Sequence, residues 1–322
     1  MNSILSIRDL RVTFSTDDGN VPAVNGVNLD LNRGENIAIV GESGAGKSQI
    51  FYAMMGLLPG NGSATGSVQF AGEAILNLSA RRLNKIRGSR IVMVFQDPMT
   101  SLNPYLTVGR QLTEVLQVHK YIKKSKARTL AIDMLQRVYM PDAEQCFKRY
   151  PHELSGGMRQ RVMIAMALLC DAEILIADEP TTALDVSVQT EIISLLNELD
   201  DVSIILVTHD LPLVAGLCDR VAVMYAGQII EQGSSDEIFY HARHPYTRGL
   251  LAATPHFCGS SNTLLPSISG QVPNPAELPP GCPFHPRCDF SIDKCNQLYP
   301  EWVVDKNRHT CACHLEIKNA AD

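Results

Sequence analysis

The sequence has no basic surplus. Its 322 residues carry 28 Lys and Arg against 34 Asp and Glu, a formal net charge of -6. That balance argues against a dedicated nucleic-acid binder, which needs positive surface to meet phosphates. Long hydrophobic runs are missing too: the longest unbroken one, Val162 to Cys170, falls far short of the roughly 20 residues that span a bilayer. The first residues, Met1-Asn2-Ser3-Ile4-Leu5-Ser6-Ile7-Arg8, have neither a basic flank before an apolar core nor a small-residue cleavage site. The chain is therefore expected to stay in the cytosol. No internal repeat is visible, which argues against two modules in tandem. What is there, 45% hydrophobic and 19% charged residues, suffices for a sizeable core, and the length suits about two domains.

The nine cysteines are uneven. Cys146, Cys170, Cys218 and Cys258 are scattered and read as small buried hydrophobes. Cys282, Cys288, Cys295, Cys311 and Cys313 crowd the carboxy-terminal tail. In a reducing compartment such a cluster more often binds metal than forms disulfides; the plain alternative is that they are free or merely buried. Four thiolates on a short segment suit tetrahedral zinc or an iron–sulfur cluster, and the lack of paired C-x2-C knuckles weakens the zinc-ribbon reading.

Ile4 to Phe14 and Val27 to Leu31 alternate apolar and polar, as half-buried antiparallel strands do. Asn36 to Val40 is a short apolar strand running into a glycine-rich turn, after which Ile50, Met54, Leu57 and Leu58 share one helical face. Arg90 to Phe95 is a further strand. Thr107 to Tyr139 is helical throughout, with Leu112, Val115, Leu116, Leu130, Met134, Leu135 and Val138 inward. Ile174 to Ala177 and Ser203 to Val207 are apolar on both faces and suit central strands of a parallel sheet. After about Pro255, serine, glycine and proline dominate Gly259 to Pro280, an extended wrapping segment or linker.

The glycine-rich turn, Gly41-Glu42-Ser43-Gly44-Ala45-Gly46-Lys47-Ser48, matches G-x4-G-K-[ST] between a strand and a helix. Glycines let successive N–H groups curl around phosphate oxygens, and the helix amino terminus adds positive potential. Lys47 is then expected on the β- and γ-phosphates and the Ser48 hydroxyl on magnesium. Asp178 and Glu179 end a second apolar strand, where ligands of parallel sheets bind. Asp178 suits the magnesium shell, and Glu179 suits the orientation and deprotonation of an attacking water. Downstream of the first strands, Leu154-Ser155-Gly156-Gly157 offers a second anion site, with Ser155 as helix N-cap and two glycines for close backbone approach.

The Leu-Ser-Gly-Gly run resembles the signature of ATP-binding-cassette (ABC) ATPases. The other motifs follow in that family's order. By this resemblance, Gln96 contacts magnesium and water, and His209 holds the γ-phosphate and nucleophilic water. Ala183-Leu184-Asp185 is the loop that crosses a dimer interface, and Phe14 stands where an adenine-stacking aromatic is placed, although a core role suits it nearly as well. The implied fold is a phosphate-loop α/β ATPase with a RecA-like core, an antiparallel β subdomain and an inserted helical subdomain at about 97–170. The ATPase domain covers 1–255, and 256–322 form a cysteine-rich extension. The family works as head-to-tail pairs, each signature closing on nucleotide held by the other chain, so a second ATPase chain is implied.

Within the family, Phe95 to Pro104, Pro180 to Val186 and His244 to Leu251 resemble the ATP-binding subunits of oligopeptide/dipeptide importers. Nickel importers share much of the pattern, and a non-transport ABC ATPase is a further alternative. The resemblance implies two membrane permease subunits, an indirect link to a solute-binding protein, a sister ATPase, no nucleic acid, and a peripheral place on the cytoplasmic face of the membrane. It also implies a [4Fe–4S] cluster on four tail cysteines, the last directly before a histidine. That points to Cys282, Cys288, Cys295 and Cys313, with Cys311 spare and zinc as the alternative.

Overall fold

The computed structural model describes residues 3–97, 101–181, 184–199, 201–254 and 267–315. Residues 98–100, 182 and 183 of the motifs, Cys258 and the start of the wrapping segment lie outside them. The described chain divides into two compact units, the first holding residues to Asn32, Asn36–Leu78 and those from Val207 on, the second Arg33–Glu35 and Ser79–Leu206.

The first unit opens with an antiparallel hairpin, β1 (Ser3–Thr16) and β2 (Gly19–Asn32). β1 breaks its own alternation: Leu5 and Ile7 are buried, then Leu10 and Val12. A register shift between Ile7 and Leu10 absorbs the extra residue, with Asp9 in the left-handed region at φ 44°. Side chains alternate strictly, so only such a bulge keeps both apolar sets inward. The strand β3 (Asn36–Val40) leads through the glycine turn into α1 (Lys47–Met54). The apolar pattern extended this helix to Leu58, but it stops at Met54 and Leu57 is 40% exposed. Gly56 at φ 60° ends it, with Gly56 N–H donating to Ala53 O and Leu57 N–H to Tyr52 O, a left-handed glycine termination. β4 (Gly62–Phe70) then pairs with the other edge of β1, followed by β5 (Glu73–Ala74).

The second unit carries α2 (Ala80–Leu83), then β6 (Ile91–Val94) parallel to β7 (Ile174–Asp178), with Ile91 opposite Ile174. Between these strands the described residues include α3 (Val108–Lys120), α4 (Lys124–Arg137), α5 (Ala143–Lys148) and α6 (Gly156–Leu168). The stretch read as continuous helix from Thr107 to Tyr139 is broken at Tyr121, which adopts φ 54° and caps α3. No glycine or proline announces this turn. Of the inward positions, Leu112, Leu116, Leu135 and Val138 are buried, while Val115, Leu130 and Met134 are half-buried. At Gly109 a Cβ would stand 2.3 Å from the Phe147 ring, so α3 and α5 cross in close contact. α7 (Val186–Asn197) follows β7, and β8 (Ser203–Thr208) lies beside β7. Every residue of β7 and β8 is buried, as strands covered on both faces require.

The chain returns to the first unit with α8 (Leu211–Ala215), β9 (Arg220–Tyr225), β10 (Gln228–Ser234), α9 (Ser235–His241) and α10 (Pro245–Ala252). β9 runs parallel to β3 and antiparallel to β10. The tail adds β11 (Trp302–Val304) and β12 (Thr310–Ala312), with β12 pairing to β10. The tail thus extends the sheet instead of hanging from it.

Candidate functional site

The glycine-rich 41–48 loop sits where β3 ends, and two of its glycines are sterically required. A Cβ at Gly41 would stand 2.2 Å from the Met224 carbonyl oxygen, and one at Gly46 2.1 Å from that of Ala23. Gly46 also adopts φ 90° as the N-cap of α1 and offers no side-chain cap, so the first helical amides depend on other partners. Lys47 is buried, its ammonium donating to the carbonyls of Gly41 (2.8 Å) and Glu42 (3.0 Å). Ser43 and Gly44 are exposed, and Ser48 is half-buried in the first turn of α1. Phe14 is half-buried near the end of β1, its ring against Gly62 and beside Leu58. His209 is exposed immediately after β8.

In the second unit, β7 delivers Asp178, 1% exposed, and then turns sharply at Glu179, whose φ is 48°. A non-glycine residue held there costs about 1 kcal/mol or more, and such strain clusters at functional sites. The Glu179 carboxylate accepts a hydrogen bond from Gln96 Nε2 at 3.0 Å. Two residues 83 positions apart are thereby brought together beyond the ends of two parallel strands.

The signature segment also packs as its residues dictate. The Ser155 hydroxyl accepts from Met158 N–H at 3.3 Å, capping α6, and Ser155 and Gly156 are exposed. Gln160 Nε2, in the same helix, donates to the Pro180 carbonyl at 2.8 Å, tying the signature helix to the residues after Glu179. Asp185 is the exposed N-cap residue of α7, while Ala183 lies outside the described residues.

Sequence reasoning missed what surrounds Glu42. Its carboxylate is held by Arg287, with Nη1 to Oε2 at 2.7 Å and Nη2 to Oε1 at 3.0 Å. Its backbone N–H donates to the Tyr246 hydroxyl at 2.9 Å. Tyr225, Tyr246 and Phe284 form one aromatic cluster with ring centroids 4.7, 5.3 and 5.4 Å apart. His244 caps α10 by accepting from Tyr246 N–H, and burial pushes its pKa down to about 4, which keeps the ring neutral and able to accept. The His244–Leu251 segment, read from sequence only as a family marker, is thus a support of the loop.

Behind it, Glu231 is fully buried and accepts from Arg243 N–H, His244 N–H and His309 Nε2. Burial raises the pKa of this carboxyl, but the hydrogen bonds from His309 and its neighbours prevail and hold it below the usual range.

Cys282, Cys288, Cys295 and Cys313 are near neighbours. Burial pushes the Cys282 thiol up to about 11, and the other three cysteines add to the rise. Burial raises the thiols of Cys288 and Cys313 as well, while the nearby backbone N–H groups of Phe284, Phe290 and Leu315 pull Cys282, Cys288 and Cys313 the other way. The buried Cys311 thiol has Glu231 as its foremost charged neighbour.

A family model described as "ABC transporter" matches residues 24–182, and one described as "Oligopeptide/dipeptide transporter, C-terminal region" matches residues 230–295. Oligopeptide transport ATP-binding protein OppD of Escherichia coli is 55% identical over 93% of this chain and 89% of that protein. OppD of Haemophilus influenzae is 54% identical over 99% of each chain, and dipeptide transport ATP-binding protein DppD of Bacillus subtilis is 48% identical over 99% and 97%. Among solved structures, a dimeric ATP-binding cassette in a post-hydrolysis state, bound to ADP and Pi, matches with a TM-score of 0.66 at 28% identity. That match covers 72% of this chain and 98% of the other.

Proposed function

This chain belongs to the ABC transporter ATP-binding proteins, in their oligopeptide/dipeptide branch, and on that premise we propose that it is the ATP-hydrolysing subunit of a peptide importer. The Gln96–Glu179 hydrogen bond carries the hydrolytic part of this reading, because it fixes a carboxylate oxygen beside a strand-end acid. Glu179 orients the attacking water and takes its proton, and His209 and Gln96 hold that water and the γ-phosphoryl group in line. Lys47 and the amides of the 41–48 loop meet the developing charge on the phosphates, and Phe14 stacks on the adenine. Ser48, Asp178 and Gln96 would hold the magnesium that neutralises the β- and γ-oxygens. Replacing Glu179 by Gln keeps the side chain's shape and removes the base. Turnover is expected to fall by at least a hundredfold with ATP binding retained, measured by phosphate release and by nucleotide titration; a parental rate would refute the assignment.

Ser155, Gly156 and Gly157 close on nucleotide held by a second ATPase chain, most simply a sister subunit, and Asp185 lies in the loop that crosses between them. The exposure of Ser155, Gly156 and Asp185 supports this pairing. Among the described residues, no helix is long and apolar enough to cross a membrane. By its kinship with peptide-importer ATP-binding proteins, the chain would work peripherally on the cytoplasmic face beneath two permease subunits, with the solute-binding protein presenting cargo outside.

Cys282, Cys288, Cys295 and Cys313 would hold a [4Fe–4S] cluster that pins the tail. Nearby backbone N–H groups favour the thiolate form at three of these cysteines, the form in which a cluster is ligated. Tetrahedral zinc on the same four thiolates is the alternative occupant.

A further inference from the structure

Two segments distant in sequence grip the second residue of the phosphate loop. The Arg287 side chain is 5% exposed and meets Glu42 as a bidentate pair. Its Nε donates to the Ser269 carbonyl at 2.9 Å, and its guanidinium carbon lies 5.8 Å from the Tyr225 ring centroid and 6.0 Å from that of Phe284. A guanidinium fixed by a carbonyl and two aromatic faces has little freedom left, so the fork it offers Glu42 is preorganised. Tyr246 holds the same residue by its backbone N–H.

What Glu42 does in the loop makes this grip matter. Its carbonyl accepts from Lys47 Nζ and from Ala45 N–H. Shifting Glu42 therefore shifts an anchor of the phosphate-binding lysine and the curl of the loop together. Sub-ångström placement of such groups decides how well they meet a charged ligand.

We propose that Arg287 is a positioning residue for nucleotide binding: acting through Glu42, it holds the phosphate loop in its anion-cradling shape and makes that shape depend on the docking of residues 282–288. The proposal rests on the nucleotide reading of the loop and adds to it a route by which the cysteine-bearing tail controls affinity. Arg287 directly precedes Cys288, so whatever secures that cysteine also secures the arginine.

The test is titration of the full-length chain with a fluorescent ATP analogue and magnesium. Arg287→Met keeps much of the stem and removes both hydrogen bonds; Kd is expected to rise on the order of tenfold to a hundredfold. Arg287→Lys keeps the charge without the fork and should fall between. Glu42→Gln should weaken binding in the same direction, and the double variant Glu42→Gln with Arg287→Met should be no weaker than Arg287→Met alone, because both changes act on one contact. Hydrogen exchange should quicken at residues 42–48 in Arg287→Met and stay unchanged across Ser3–Thr16. Parental affinity in Arg287→Met, or losses that add in the double variant, overturns the proposal; a mere strut for the tail would lower thermal stability and leave affinity alone. If Arg287→Met does not fold, Arg287→Lys and Glu42→Gln carry the same comparison. If the parental chain shows no binding, or Lys47→Ala binds as the parent does, the nucleotide reading itself falls, and this proposal with it.

Discussion

Single residues decide whether the loop can exist at all. Gly46 combines a left-handed backbone with a carbonyl 2.1 Å from where a Cβ would be, so Gly46→Ala meets strain and overlap at once. Backbone cannot yield as a flexible side chain can, and the loop must move. Gly46→Ala is expected to lose nucleotide affinity at least tenfold, while Gly44→Ala, at φ 81° with nothing within 4 Å, meets only the backbone strain and should lose less. Calorimetric titration with MgATP orders the two, and equal losses would count against the steric account. The places of Lys47 at a helix start and of Asp178 and Glu179 at a strand end were legible from sequence, because the motif fixes those residue types at those spacings. Arg287 was not: an arginine amid tail cysteines carries no mark of a partner 245 positions away.

At the scale of elements, the join between β10 and β12 is held by charge as well as by the ladder. His309 is buried, its Nε2 2.8 Å from Glu231 and its Nδ1 3.3 Å from Glu237. Burial lowers its pKa, but Glu231, Asp305 and Glu237 prevail and raise it above the ordinary value of 6.5. A raised folded-state pKa stabilises fully below the unfolded value and is lost as pH rises through the folded one. Glu231, held low, adds stability above its unfolded value and loses it as pH falls through the folded one. The join is therefore firmest around mildly acidic pH and should loosen from about pH 6.5 upward. Thermal melts between pH 6 and 9 are expected to show a fall in Tm that His309→Ala flattens, at a cost of about 3 kcal/mol at pH 6 for the stranded carboxylate. Equal pH slopes for parent and variant would remove His309 from the account. Other element boundaries show the limits of pattern: Gly56 ended α1 by a signal visible in the sequence, whereas Tyr121 broke the long helical stretch with none.

For the whole molecule, the proposed engine is an assembly. With hydrolysis blocked by Glu179→Gln, the chain and its companion ATPase should associate on adding MgATP and separate without it, followed by sedimentation velocity. Indifference to nucleotide would leave the exposed Ser155–Gly156 helix end without a role. The sequence by itself determined the motifs of the candidate sites and the type of most elements, because glycine turns, strand-end carboxylates and apolar periodicity are local constraints. Only the tertiary structure decided which distant residues support those sites: Gln96 against Glu179, Gln160 against Pro180, and Arg287 and Tyr246 around Glu42. Such partnerships are made when strands from separate stretches line up and bring their ends together, and no local pattern records which ends will meet.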